Sequence, residues 1–520
     1  MSEPCGGRLL EISTNQSELA RSTSAEKWYN VAMSNYMISR RGFLGSAGAF
    51  AALAGCKGAG ELFAARTPRI KFGVASDIHC QFRAFCDDFE LALGRFRDAG
   101  VDAVVLAGDL ADMGNVRELK FVADCWRRVF PGDRAPDGRH VERVFVTGNH
   151  DVNHLGPLKN ATWLSYYNHD AARITADAMT LRPGGIAQAW EECFGEKYEQ
   201  IYRKTVKGYD FIGGHWGDWS GVGDIEGYMR KVGPTLDPSK PFFYVQHPHP
   251  KDTVYADWAW GADDGRSTRA LSAFPNAVAF TGHSHFTLTS DWSIWQGAFT
   301  SVGTASLSAR VDASYGGREN GGPLFPGEKA HMDKGVVTDV RQGMIVTVYD
   351  DLVSIERRDF DSNLPLGEPW VFTVPVGSDS PYVPATRSAA VGAPRFDEKA
   401  EVTVTDGAPR HAGCDKDVRH VTVRFPVPAP KGDTRAFDFE VALMATYNNV
   451  TKPFKVKRVM CPSAHFPPAK EAKEAICVFA ADELPKFHRS RWTSGSYHFA
   501  VTPVSSMGVR GNTICSRRIA

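Results

Sequence analysis

Ile70-Lys71-Phe72-Gly73-Val74-Ala75-Ser76-Asp77-Ile78-His79 joins a short apolar run to two residues that ligate metals well. The run has the length and apolarity of a strand covered on both faces. Asp77 and His79 fall where it stops. The same construction recurs downstream. Residues 101–107 (VDAVVLA) read as a second buried strand and end in Gly108-Asp109. Residues 141–146 (VERVFV) read as a third and run into Gly148-Asn149-His150-Asp151. Residues 241–245 (PFFYV) lead into Gln246-His247-Pro248-His249, and 277–280 (AVAF) into Thr281-Gly282-His283-Ser284-His285. Helical periodicity separates the first three strands, over residues 82–99 and 117–130. This alternation predicts an α/β domain with a covered sheet. Its polar, metal-capable residues gather at the carboxyl ends of the strands, where open α/β sheets place their sites.

A lone histidine is more often structural than a ligand, and one Asp-x-His proves nothing. Five strand ends carrying Asp, Asn and His in register are different. Hard oxygen and borderline nitrogen donors together suit divalent transition metals. A single bridging carboxylate can hold two such ions roughly 3.5–4 Å apart, the arrangement used for displacement at phosphorus. Two positions keep alternatives open. In Gln246-His247-Pro248-His249 either imidazole can ligate; His247 is favoured because it lies nearer the strand end. Cys80, beside His79, reads better as a small buried apolar residue than as a soft ligand.

DxH, GD, GNHD, a strand-final His and GHSH, in this order across about residues 68–352, resemble the calcineurin-like metallophosphoesterases. The resemblance implies a four-layer α/β/β/α sandwich. It also implies an enzyme that cleaves phosphomonoesters or phosphodiesters with a hydroxide activated by two divalent ions (Mn, Fe or Zn). Carried over by motif, one ion takes Asp77, His79 and His285, the other takes Asn149, His247 and His283, and Asp109 bridges them. His150 would contact the phosphate and protonate the leaving oxygen, with Asp151 orienting it. Purple acid phosphatases carry Tyr three residues after the GD aspartate; Asp112 stands there in this chain, which disfavours that subgroup. The alternative is a surface-anchored binding or structural protein that keeps the scaffold without turnover. Retention of every ligand and of His150 favours the enzyme.

The catalytic domain is expected over residues 68–375. Residues 152–240 form a cap-like insertion, with Trp163, Trp190, Trp216 and Trp219 and helices over 160–180 and 187–204, before a strand at 208–213. His215-Trp216-Gly217-Asp218-Trp219 is its best candidate for substrate contacts outside the metals. Closing strands are expected at 292–297 and 299–302, then a Gly-rich loop at 316–322 and strand pairs over 336–358. A Pro-rich connection (Pro381, Pro384, Pro394) leads to short alternating runs at 418–425, 436–445, 476–480 and 497–501. These predict a C-terminal all-β sandwich of fibronectin or immunoglobulin-like kind over 395–520.

Composition bounds the rest. In 520 residues, 60 Lys and Arg balance 60 Asp and Glu, which argues against a nucleic-acid surface. With 43% hydrophobic residues the chain is not a disordered one. Ten cysteines show no Cys-x-x-Cys pair, and spacing does not assign disulfides. Ser39-Arg40-Arg41-Gly42-Phe43-Leu44-Gly45 resembles a twin-arginine signal. An uncharged stretch over 42–55, too short to span a membrane, ends in Leu53-Ala54-Gly55-Cys56, which resembles a lipobox. Residues 1–56 therefore read as an export segment, with Met37 as a possible true start. The mature chain is expected outside the cytoplasm, in the periplasm or at the cell surface. It would touch membrane only through a lipidated Cys56, with residues 57–68 as a tether, and act on a small or surface phosphoester. Stable anchoring takes two or more acyl chains, which lipoprotein modification supplies. The Arg40→Lys/Arg41→Lys variant is expected to stay cytoplasmic, and Cys56→Ala to be exported without lipid. Cell fractionation with a fatty-acid label checks both; unchanged export of the first or labelling of the second contradicts the reading.

Overall fold

A central feature of the computed structural model is that two mixed sheets face each other across one apolar layer. The structure describes residues 66–81, 86–152, 164–165, 167–217, 221–255, 261–308, 340–406, 420–432, 434–470, 472–486 and 495–519. The twin-arginine motif, the lipobox with Cys56, Trp163, Asp218, Trp219 and the Gly-rich loop at 316–322 lie outside these residues.

The described chain opens with two successive strand–helix units and a third strand: β1 (Ile70–Ala75), α1 (Cys86–Asp98), β2 (Ala103–Ala107), α2 (Val116–Val129) and β3 (Glu142–Val146). β1, β2 and β3 pair in parallel, as crossover helices of this length require. α1 carries Asp87 and Asp88 in its first turn and Arg95 and Arg97 in its last, complementing the helix dipole at both ends. α2 is capped by Asn115, whose side-chain oxygen accepts from the Glu118 amide. Both helices bury their apolar faces, including Phe89, Phe96, Leu119 and Trp126, in one core cluster with residues of the sheet.

The chain continues through α3 (Asn149–Val152), α4 (Ala171–Asp177), α5 (Gly185–Phe194), β4 (Ile201–Val206), β5 (Tyr209–Gly214), α6 (Ile225–Val232), β6 (Phe242–Val245), α7 (Arg266–Leu271), β7 (Ala277–Thr281), β8 (Ile294–Gln296) and β9 (Thr300–Gly303). These strands make the second sheet, in the order β4-β5-β6-β7-β9-β8. β10 (Gln342–Tyr349), β11 (Leu352–Asp359), β12 (Leu364–Pro365) and β13 (Trp370–Thr373) return to the first sheet. There β10 lies antiparallel beside β1, and the order is β12-β11-β10-β1-β2-β3, with β13 on β11.

Phe72 of β1 marks the middle of the layer between the sheets. Its ring meets Phe211, Phe243 and Phe280 of the second sheet edge-on, with centroids 5.1, 4.7 and 5.9 Å away. α1, α2 and α5 cover the outer face of the first sheet, and α6 and α7 that of the second. The layers therefore run helix, sheet, sheet, helix.

The insertion differs from the expected cap. The helix expected over 187–204 ends at Gly195, which takes a left-handed backbone (φ 67°) and stops the helix. Residues beyond it form β4, which hairpins onto β5 and so onto β6. Most of 201–236 is thus scaffold of the second sheet, not a cover over the site.

The C-terminal region holds α8 (Pro384–Val391), β14 (Thr403–Asp406), β15 (His420–Pro426), β16 (Asp438–Tyr447), β17 (Val450–Met460), β18 (Glu474–Ala480), β19 (Gly495–Val504) and β20 (Ile514–Cys515). It is largely β, in sheets ordered β14-β15-β18 and β17-β16-β19-β20. One core containing Phe425, Phe439, Val441, Phe479 and Phe499 joins them. β17 was not among the expected strands. Its TKPFKVK stretch has no buried face up to Lys455-Val456, because β17 is an edge strand with Phe454 and Val456 exposed. Pro453 is tolerated there for the same reason. α8 occupies the expected Pro-rich connection, with Pro384 in its first turn. Among the described residues no helix is long and apolar enough to cross a membrane.

Phe72→Ala is expected to lower unfolding free energy by about 3–5 kcal/mol, the cost of emptying a buried aromatic site. Denaturant titration followed by tryptophan fluorescence measures it.

Candidate metal centre

The strand ends of the two sheets meet at one rim. Past β1 and β2 the chain keeps its pairing for a few residues: the Asp77 amide donates to the Gly108 carbonyl at 3.0 Å, and the Ile78 and His79 amides to Asp109 at 2.9 and 3.1 Å. These bonds hold the DxH and GD segments side by side. Glycines let the segments close up further. A Cβ on Gly108 (φ 92°) would collide with the His247 ring, and one on Gly148 would lie 2.5 Å from the Asp109 amide nitrogen.

Asp77, His79, Asp109 and His285 form one donor group, and Asp109, His247 and His283 another; within each group the donor atoms lie within 4.8 Å of one another. Asn149 joins the second, with Oδ1 3.1 Å from His247 Nε2. Asp109 belongs to both. Its Oδ1 accepts from the His150 amide at 2.9 Å, while Oδ2 lies 3.1 Å from His247 Nε2 and 3.7 Å from His79 Nε2. His249 lies in neither group. It is fully buried, its ring edge-on to Tyr255 at 5.5 Å, and neither ring nitrogen has a hydrogen-bond partner among the described residues.

The hydrogen bonds decide which imidazole nitrogens face the centre. His247 Nδ1 lies 2.8 Å from the Ala107 carbonyl, which only accepts, so Nδ1 carries a proton and Nε2 is the nitrogen turned to the centre. His79 Nδ1 lies 3.1 Å from Asp112 Oδ1, leaving His79 Nε2 3.3 Å from His285 Nε2. Ring nitrogens, an amide oxygen and carboxylates thus converge on one place. Burial alone would push His247 down, yet the Asp109 and Asp77 carboxylates pull it up to about 9. Asp109 itself, despite its burial, is held well below the usual carboxylate range by the surrounding imidazoles. The centre demands positive charge, and this mixed O and N donor set fits a divalent transition metal.

Five of these donors also sit in left-handed backbone: Asp77, His79, Asp109, His283 and His285, with φ between 48° and 71°. That region is uncommon outside glycine and persists only where surroundings impose it. Asp77 shows how. Both its oxygens face the His283 amide at 3.2 Å, Oδ1 lies 2.8 Å from His285 Nε2, and the Ser76 hydroxyl donates to Oδ2.

Other residues act from behind. Asp151, expected to orient His150, instead accepts from the amides of Ala111, Gly148 and Leu110 at 2.7, 2.8 and 3.3 Å. It clips the GD loop to the GNHD turn. Burial and the nearby Asp109 charge push its carboxyl up to about 7, against the pull of those three amides. The group that orients His150 is the Asp112 carbonyl, 2.7 Å from its Nδ1. Asp112 therefore serves twice, by side chain to His79 and by backbone to His150. A carboxylate behind a ligating imidazole fixes its tautomer and raises its basicity. Glu118, buried in α2, steadies the same loop by accepting from the Met113 amide at 2.9 Å.

Two further expectations resolve differently. Cys80 is buried but forms a disulfide with Cys86, which the spacing left unassigned. His215 and Trp216 support the centre from within. His215 Nδ1 accepts from the Thr147 amide at 3.1 Å, and burial holds His215 down to about 3, neutral and able to accept. Trp216 is buried, its ring 5.9 and 5.7 Å from His247 and His283.

Residues 70–286 match the family model for calcineurin-like phosphoesterases. That segment is a calcineurin-like phosphoesterase domain. No curated protein matches the chain. Among solved structures, a conserved uncharacterized protein of Streptococcus pneumoniae TIGR4, titled a predicted phosphoesterase, is similar at 13% identity and TM-score 0.24, over 58% of this chain and 97% of its own. GAP50 of Plasmodium, titled the anchor in the inner membrane complex, is similar at 10% identity and TM-score 0.32, over 59% and 89%. Vacuolar Protein Sorting 29 of Cryptosporidium parvum is similar at 9% identity and TM-score 0.25, over 58% and 98%.

Asp112→Asn is expected to weaken metal binding about 10–100-fold, the usual cost of losing the partner behind a ligating histidine. Asp109→Asn should lose bound metal outright. Elemental analysis after graded chelation ranks the two against wild type; equal metal content in all three contradicts the assignment.

Proposed function

We propose that residues 68–375 are a phosphohydrolase that holds two divalent ions, of Mn, Fe or Zn, and cleaves phosphomonoesters or phosphodiesters. The observation that carries this reading is Asp109 Oδ2, shared between the two donor groups. Asp77, His79 and His285 would hold one ion, Asn149, His247 and His283 the other, with Asp109 common to both. When bound, such ions supply charge to neutralise phosphoryl oxygens and make an attacking water more acidic.

The chain's own residues supply the rest. His150 stands beside the ligands, its ring 4.6 Å from that of His79, and is partly open to solvent. Its Nδ1 proton is committed to the Asp112 carbonyl. The transferable proton therefore belongs on Nε2, from which His150 can hydrogen-bond a phosphoryl oxygen or protonate the departing one. Burial would lower its affinity for a proton, but the Asp109 charge and the Asp112 carbonyl raise it, which keeps the acid form accessible. Asp151 holds the two turns that carry Asp109 and Asn149 at a fixed separation.

The balanced charge of the chain supports a small or surface phosphoester over a nucleic acid. The Ser39 to Cys56 motifs support export, on a twin-arginine route, and a lipid anchor at Cys56. The paired C-terminal sheets support a fibronectin or immunoglobulin-like module over 395–520.

A panel of alkyl and aryl mono- and diesters with the metal-loaded protein tests the activity. His150→Ala should keep its metal and lose about 10²–10⁴-fold on alkyl esters, the contribution of a general acid. Its loss on 4-nitrophenyl esters should be smaller, because that leaving group needs little protonation. Equal losses on both would assign His150 to phosphate binding alone.

A further inference from the structure

The segment just past His285 is gripped from the C-terminal β region. Thr289 Oγ1 donates to the Ala464 carbonyl. Gln342 Nε2 donates to the His465 carbonyl at 2.7 Å, while its Oε1 accepts from Thr287 Oγ1 at 3.0 Å and from the Leu288 amide at 2.8 Å. The Asp291 amide donates to Ser506 Oγ at 3.0 Å, and that hydroxyl donates back to Asp291 Oδ2 at 2.5 Å. Arg387 Nε completes the grip, donating to Asp291 Oδ1 at 2.8 Å. Thr287, Thr289, Asp291, Gln342, His465 and Ser506 are all buried.

This grip matters because of where it sits. His283 and His285 take left-handed backbone, with φ of 71° and 53°. Such a turn holds its shape only when both flanks are fixed. β7 fixes the upstream flank at Thr281. Downstream no strand begins until Ile294; Gln342 and Arg357 hold Leu288 from the catalytic domain, and Ala464 and Ser506 hold Thr289 and Asp291 from the C-terminal region. Gln342 extends the hold to the first ligand. Its amide donates to Ser306 O at 3.1 Å, and Ser306 Oγ donates to the Asp77 carbonyl at 3.0 Å.

We infer that the C-terminal β region is a positioning element of the metal centre, which sets His285 and Asp77 through Thr289, Asp291 and Gln342. The inference rests on the reading that His285 ligates metal. Positioning by a partner behind a ligand commonly changes metal affinity about 10–100-fold.

The test uses the full chain and stepwise Mn²⁺ titration followed by paramagnetic resonance. Thr289→Val/Ser506→Ala removes three of the bonds while keeping similar volume. Thr289→Ser keeps the hydroxyl. Val441→Ala, in the core joining the C-terminal sheets, lowers stability while leaving every side chain that makes a bond of the grip in place. The double variant should bind the more weakly held ion at least about tenfold less tightly, with Thr289→Ser and Val441→Ala at wild-type affinity. Unchanged affinity in the double variant overturns the inference while leaving two-ion binding intact. So does a loss in Val441→Ala that matches its loss of thermal stability. If wild type takes up no Mn²⁺ by resonance and no Fe or Zn by elemental analysis, the metal reading fails and the inference falls with it.

Discussion

Asp109 divides its carboxylate between the two halves of the domain. One oxygen accepts from the His150 amide in the first half; the other faces His79 from the first sheet's rim and His247 from the second's. Both sheets must therefore end at the same place, within the reach of one side chain. Much of the fold answers that constraint. The phenylalanine layer around Phe72 sets the spacing of the sheets, and Gly108 and Gly148 let backbone approach where any side chain would hold it away. Asp151 ties the two turns together through three amides. Concentrating this much negative charge and lone-pair density in a buried rim is unfavourable unless a cation answers it. The donor set is thus a candidate cation site.

The strand ends were legible because strand and ligand alternate in the sequence at short range. A buried parallel strand is an unbroken apolar run, and the residue that stops it is conspicuous. Asp77, His79, Asp109, Asn149, His247, His283 and His285 could all be named that way, and the structure draws them to one rim. The supports were less legible. Asp112 offered only the absence of a tyrosine, and its two bonds depend on a loop conformation that no local pattern encodes. Asp151 takes partners other than the one the resemblance implies, because it follows His150 in a helical turn, which sends neighbouring side chains different ways. Glu118 sits inside a helix, where an acidic residue normally reads as solvent-facing.

Errors of fold share a cause. Residues 201–206 follow a helix closely and carry Arg203 and Lys204, so they read as its continuation; pairing with β5 overrides that local pattern. β17 was missed because an edge strand needs no apolar face, and its lysines and Pro453 discourage pairing with another chain. In both places a partner distant in sequence decides the structure.

The pairing of β1 with β10 has a consequence for the order in which the protein can be made. Ile70 sits opposite Val348, so the first strand, already beside β2, waits for nearly 280 further residues before its second neighbour exists. Ser506 and Ala464, which steady the turn bearing His285, come later still. At about 5–20 residues per second, translation separates the first ligand from the last support by roughly 20–90 seconds. Through that interval a nascent chain exposes a partial set of strong donors, with Asp77 and His79 in place and nothing to select among metals. If the centre holds metal as proposed, its loading belongs after release from the ribosome, when the complete chain can impose its geometry on the donors.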